Sequence, residues 1–99
     1  MEDRQFNRVA KALADPQRFA LLQQIASGVS SCGDEIACKE LVAHSRVTPA
    51  TISHHLKELT NAGLIEGRKE GQCMYLRACP EVWSAYLEEV GRRLSAKSK

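Results

Sequence analysis

The chain has 99 residues, 43% hydrophobic and 26% charged, with a formal net charge of +2. That length predicts one domain with a thin core and an ordinary soluble composition. No apolar run approaches the roughly 20 residues of a membrane span, and the opening MEDRQFNRVAK lacks the apolar stretch of a signal peptide, so a cytoplasmic protein without membrane contact is expected.

Phe6, Val9, Ala10 and Leu13 fall at helical spacing and predict a first helix over residues 3–14. Asp15-Pro16 reads as an N-cap followed by proline at the first helical position. The second helix is expected to turn Phe19, Leu22, Ile25 and Ala26 inward and to stop near Gly28. The segment GVSSCGDE is small and polar and reads as a loop. A short third helix is predicted over 35–44, with Cys38, Leu41 and Val42 on its apolar side, followed by a turn at His44-Ser45-Arg46-Val47. Thr48 caps a fourth helix with Pro49 next, and Asn61-Ala62-Gly63 ends it, Gly63 being free to turn left-handed.

The period then changes. LIEGRKEGQCMYLRA reads as two short strands around a Lys69-Glu70-Gly71-Gln72 turn, a hairpin with a charged tip. Cys79-Pro80-Glu81 opens a fifth helix with Trp83, Leu87, Val90 and Leu94 on one side, and Val82 and Tyr86 widening the arc. The tail from Ser95 is polar and expected to fray. The predicted fold is mainly α with a β-hairpin wing, about five helices and two strands over 1–99. That order is a winged helix-turn-helix, a DNA-binding layout.

His54 and His55 stand side by side in the fourth helix. On a helical wheel Ile52, Leu56 and Leu59 form its buried stripe, while Ala50, Ser53, His54, Lys57 and Asn61 collect opposite. That outward face is small, hydrogen-bonding and basic, as a helix in a major groove must be. His55 sits about 100° from His54, beside Leu59, and reads as a packed, hydrogen-bonded residue. Adjacent imidazoles diverge, whereas two metal-binding histidines on one helix want i, i+4 spacing. No nucleophile, base and orienting carboxylate come together, so no catalytic site and no cofactor are expected.

ALADPQRFALLQQIASG, then TPATISHHLKELTNAGLIEGRKEGQCMYLR, resembles the ArsR/SmtB family of winged-helix repressors, from about Leu13 to Arg77. The resemblance implies a homodimer that packs first and last helices together and binds double-stranded operator DNA until an effector releases it. It implies a recognition helix at about 48–62, with Thr48, Ala50, Thr51, Ser53, His54 and Lys57 toward DNA. It also implies a wing at about 64–78, with Arg68, Lys69 and Gln72 at its tip. Metalloid sensors of this family carry a CVCDL box at the start of the third helix. Aligned without gaps from Leu41 through Leu56, the box falls on Ala37-Cys38-Lys39-Glu40-Leu41, so its cysteine positions hold Ala37 and Lys39. The family's other common metal site pairs Asp/His on the last helix with His/Glu further along, and PEVWSAYLEEVGRRLSAK contains no histidine, so both familiar metal sites are absent as motifs.

Four cysteines remain, Cys32, Cys38, Cys73 and Cys79, expected as thiols in the cytoplasm and without CxxC spacing. Cys32 lies in the Ser/Gly-rich loop and Cys38 six residues later, a loop able to bring two sulfurs to disulfide distance. A disulfide there pulls on the helix that abuts the recognition helix. The plainer reading makes Cys38 a small core residue and Cys32 an incidental thiol. Cys73 alternates with Tyr75 and reads as packing. Cys79 stands at a helix N-cap, where the dipole can lower a thiol pKa. The expected function is a repressor released by oxidation or a thiophilic ion through Cys32 and Cys38. The alternatives are a repressor whose effector bypasses the cysteines, or a winged-helix protein-interaction module.

Overall fold

Each helix among the described residues begins at residues whose chemistry suits a helix start. The computed structural model describes residues 1–27, 35–37 and 47–95. Helix α1 (Asp3–Ala14) is capped by Glu2, whose carboxylate accepts the Gln5 amide at 3.2 Å. Helix α2 (Pro16–Ala26) is capped by Asp15, which accepts the amides of Gln17 at 2.9 Å and Arg18 at 3.1 Å. Pro16 follows where no amide hydrogen is required. The Arg18 amide holds the Asp15 carboxyl below its ordinary pKa against an opposing effect of burial, and the Gln17 amide adds a smaller push in the same direction as Arg18. Helix α3 (Pro49–Asn61) has Thr48 as its cap. Helix α4 (Pro80–Ser95) opens on proline with Glu81 in its first turn and Arg92 and Arg93 in its last, matching the helix dipole at both ends.

Strands β1 (Glu35–Ala37), β2 (Ile65–Glu70) and β3 (Cys73–Ala78) form an antiparallel sheet in the order β1-β3-β2. The described residues hold four helices and three strands, against an expected five and two. The helix expected over 35–44 does not begin as a helix. Glu35, Ile36 and Ala37 pair with Arg77, Leu76 and Tyr75. Three residues are too few for periodicity to separate helix from strand, and the free edge of β3 offers backbone partners that local sequence does not reveal. The remainder of that segment, the Gly28 stop and the tail from 96 onward lie outside the described residues.

The hairpin turn is also tighter than expected. Lys69 and Glu70 remain in the ladder opposite Met74 and Cys73, leaving Gly71-Gln72 as the loop. Gly71 has φ 62°, which suits the first position of a II′ turn.

The core gathers Val9 and Ala12 of α1, Leu21, Leu22 and Ile25 of α2, and Ile52, Leu59 and Ala62 at α3. Leu64, Ile65, Leu76 and Ala78 complete it from the sheet side. The inward face of α2 is therefore rotated from expectation. Leu21 is buried, whereas Ala26 is exposed and Phe19 is 42% exposed. Phe19 and Ala26 instead line an apolar groove of about 330 Å³ with Leu13, Leu22, Trp83 and Leu87. Among the described residues no helix is long and apolar enough to cross a membrane.

Candidate nucleic-acid interface

Helix α3 is fixed at both ends and along one side, which leaves its opposite side free. At its start the Thr48 hydroxyl accepts the Thr51 amide at 3.3 Å and lies 2.9 Å from the Thr51 hydroxyl. At its end Gly63 adopts φ 83°. The Leu64 amide reaches back to the Leu59 carbonyl at 3.0 Å and the Gly63 amide to Thr60 at 2.9 Å. These two bonds make a Schellman stop that only a left-handed residue permits cheaply. Along the inner side Ile52, His55 and Leu59 are buried, and Leu56 packs half-buried against the core.

Ala50, Ser53, His54, Lys57 and Asn61 are all exposed. The structure thus brings together the outward face read from the helical wheel. Lys57 has no ion-pair partner among the described residues. Thr51 departs from that set: it is half-buried, and its hydroxyl is engaged by Thr48.

The two histidines separate as expected. Their ring centroids are 6.1 Å apart and the rings tilt by 48°. His55 is 4% exposed. Its Nδ1 accepts a hydrogen bond from Arg18 Nε at 3.3 Å, which leaves the ring proton on Nε2. Nε2 is buried and finds no hydrogen-bond partner among the described residues. Arg18 Nη1 donates to the Lys11 carbonyl at 3.3 Å. One guanidinium therefore ties α3 to α1 and α2. Nothing in the residue pattern marks this link except the position of Arg18, three residues past the Asp15 cap.

On the hairpin, Arg68, Lys69 and Gln72 are exposed. Arg68 is less available than its exposure suggests. Its Nη1 donates to Glu70 Oε2 at 2.6 Å, and its guanidinium lies 4.9 Å from the Tyr75 ring centroid. Arg77 pairs with Glu66 at the hairpin base. Lys69 has no ion-pair partner among the described residues, and so is the uncommitted cation of the wing.

Cys32 and Cys38 lie outside the described residues. Cys73 is a half-buried free thiol and Cys79 a buried one. The expectation that the α4 dipole lowers the Cys79 pKa is corrected: burial first, then Glu66 and Glu81, pushes that thiol up. Among the described residues no three His, Cys, Asp or Glu side chains converge as a metal site.

Comparison with known proteins bears on the family of the chain. A helix-turn-helix domain family matches residues 13–68. The arsenical resistance operon repressor of Staphylococcus xylosus is 34% identical over 72% of this chain, and the match spans 62% of that relative's length. An ArsR-like transcriptional regulator from Rhodococcus sp. RHA1 superposes with a TM-score of 0.73 at 27% identity, covering 94% of this chain and 89% of that one. A homodimeric winged helix-turn-helix DNA-binding domain from Mycobacterium bovis, solved by NMR, gives 0.69 at 30% identity, covering 94% and 88%.

Proposed function

The chain belongs to the ArsR/SmtB family of winged helix-turn-helix regulators, and from that premise we propose that it is a cytoplasmic, homodimeric repressor that grips operator DNA through α3. The family consists of DNA-binding regulators, not enzymes. The observation that carries the reading is the exposed Ala50, Ser53, His54 and Lys57 face on a helix locked from behind by Ile52, His55 and Leu59. Small side chains let the helix sit deep in a major groove, Ser53 and His54 exchange hydrogen bonds with base edges, and Lys57 meets phosphate. Thr48 and Thr51 hold the entering end of the helix. Lys69, with Arg68 and Gln72, reaches flanking DNA from the wing. Residues 1–99 act as one domain, with 48–62 as recognition helix and 64–78 as wing. A two-fold dimer reads a pseudo-palindromic operator, with half-sites about one helical turn or a multiple apart.

Binding measured on operator and on random DNA tests this. Ser53→Ala and His54→Ala are expected to cost about 1–3 kcal/mol more on the operator than on random sequence. Lys57→Ala is expected to weaken both alike and to flatten the salt dependence. Operator binding unchanged in all three variants would remove α3 from the interface.

Release is triggered at thiols, by oxidation or by a thiophilic ion. Two observations favour Cys32 and Cys38 over the other pair: Cys79 is buried with its pKa raised, and Cys73 is half-buried. A thiol that stays protonated and covered attacks slowly. Mild diamide is expected to form a reversible Cys32–Cys38 disulfide and lower operator affinity, with Cys73 and Cys79 left as free thiols by mass mapping. The soft-ion route instead predicts stoichiometric arsenite uptake that Cys32→Ser abolishes. If Cys32→Ser and Cys38→Ser respond to every oxidant and ion as wild type does, the trigger lies elsewhere.

A further inference from the structure

A recess of about 250 Å³ opens where α1, α2 and the later half of α3 meet. Its walls are Arg8, Lys11 and Ala12 of α1, Arg18 of α2, and Glu58 and Asn61 of α3. Arg8 and Lys11 stand three apart on one face of α1, as do Glu58 and Asn61 on α3, so the side chains point into a shared space. Three cations thus face one carboxylate. None of Arg8, Lys11, Arg18 or Glu58 has an ion-pair partner among the described residues, although all four line the same recess. Arg18 is held in place by His55 Nδ1 and the Lys11 carbonyl, each at 3.3 Å. Arg68, Arg77, Arg92 and Arg93 each have a carboxylate at ion-pair distance, whereas among the described residues Glu58 lines the recess without coming that close to any of its cations.

We propose that this recess binds a phosphate-like oxyanion. Like charges gathered at one concavity repel until an anion sits between them, and a guanidinium held by neighbours loses little freedom on binding one. Arg8, Lys11 and Arg18 supply charged donors, and the Asn61 amide a neutral one. The same Arg18 anchors α3 through His55, so an anion drawing on that guanidinium acts on the helix proposed to read DNA. That coupling rests on the DNA-binding reading; the anion site itself does not. Ten residues separate Thr51 from Asn61, about 15 Å along the helix, which sets the recess apart from the entering end of α3. Two sources share this chemistry: a free oxyanion in the cell, or a backbone phosphate flanking the operator.

Inorganic phosphate titrated into the DNA-free protein at constant ionic strength, followed by amide chemical shifts, tests the site. Saturable shifts are expected at Arg8, Lys11, Arg18, Glu58 and Asn61. Arg8→Ala and Lys11→Ala are each expected to weaken binding about fivefold, and Glu58→Gln to tighten it. Lys69→Ala, a cation outside the recess, leaves it unchanged. Shifts that never saturate, shifts spread equally over Lys57 and Lys69, or a Glu58→Gln variant that binds no tighter than wild type, each overturn the proposal. Operator measurements then name the source. A free anion is the occupant where phosphate changes the operator affinity of wild type but not of Lys11→Ala. A DNA phosphate is the occupant where Lys11→Ala loses operator affinity and salt dependence with no phosphate added. Saturable phosphate binding beside unaltered Ser53→Ala, His54→Ala and Lys57→Ala operator binding keeps the anion site and discards the recognition helix.

Discussion

Glu89 is a buried carboxylate on the last helix, 6% exposed. Burying such a group is costly unless cations meet it. Arg92 bonds one oxygen at close range and the other at 3.3 Å through Nε, Arg93 Nε donates at 2.8 Å, and the N-terminal ammonium lies 3.7 Å away. Arg93 also reaches Asp3 at 2.7 Å and stacks 3.9 Å from the Phe6 ring centroid, which ties α4 to α1. The Arg92 hydrogen bond first, then that of Arg93, draws the Glu89 pKa from 4.5 down to about 2. A depressed folded-state pKa contributes stability that is complete above the unfolded value and lost as pH falls through the folded one. The expected loss therefore runs from about pH 4.5 to about pH 2. Urea midpoints across that window should fall less steeply for Glu89→Gln than for wild type; parallel acid limbs would mean that another carboxylate governs them. In sequence Glu89 looks no different from its exposed neighbour Glu88, because the N-terminal ammonium that meets it comes from the other end of the chain. His55 was legible, since its wheel position beside Leu59 already placed it inward. Its partner was not, because Arg18 is 37 residues away.

At the scale of elements, local chemistry marks the helix ends. Asp15-Pro16, Thr48-Pro49, Gly63 and Cys79-Pro80 set helix ends by chemistry confined to a few residues, and the helices begin and end there. Strand β1 is not legible locally, because its cause is the edge of β3, some forty residues on in the chain. The two left-handed glycines among the described residues, Gly63 and Gly71, offer a test of how much each stop is worth. Both pay the cost of holding a side chain at positive φ, about 1–2 kcal/mol. A Cβ at Gly71 meets nothing within 4 Å. A Cβ at Gly63 comes to 3.0 Å from Gln5 Nε2 and 3.9 Å from Val82, and that Gln5 amide donates to the Ala62 carbonyl at 3.3 Å. Gly63→Ala should therefore lower the thermal midpoint more than Gly71→Ala. It should also loosen α1 against the end of α3, visible as faster amide exchange near Ala62. Equal losses in the two variants would show that the α3 stop carries no tertiary strain.

For the whole molecule, α4 poses the main imbalance. Of its 16 residues Glu89 is the one fully buried. Val82, Trp83 and Tyr86 pack half-buried against the core, whereas Leu87 is 63% and Leu94 70% exposed. The apolar groove shared by Phe19, Trp83 and Leu87 lies beside them. A helix with that much uncovered apolar surface needs another surface against it, and the M. bovis domain similar to this chain is a homodimer. We expect two copies to meet along Leu87 and Leu94. Gly91 lies between them at i+4 and i−3, on the same face, and a Cβ there meets nothing within 4 Å. In a lone chain Gly91→Ala should add about 0.5–1 kcal/mol of stability, because alanine suits a helix interior better than glycine. In a dimer whose helices approach at Gly91, the same methyl holds them apart. Sedimentation at micromolar concentration should thus show a dimer for wild type, a weakened dimer for Gly91→Ala, and monomers for Leu87→Glu and Leu94→Glu, with tight operator binding lost alongside dimerisation. A wild-type monomer would reject the arrangement outright. A Gly91→Ala dimer as tight as wild type, with Leu87→Glu still monomeric, would keep the dimer but move its closest approach away from Gly91.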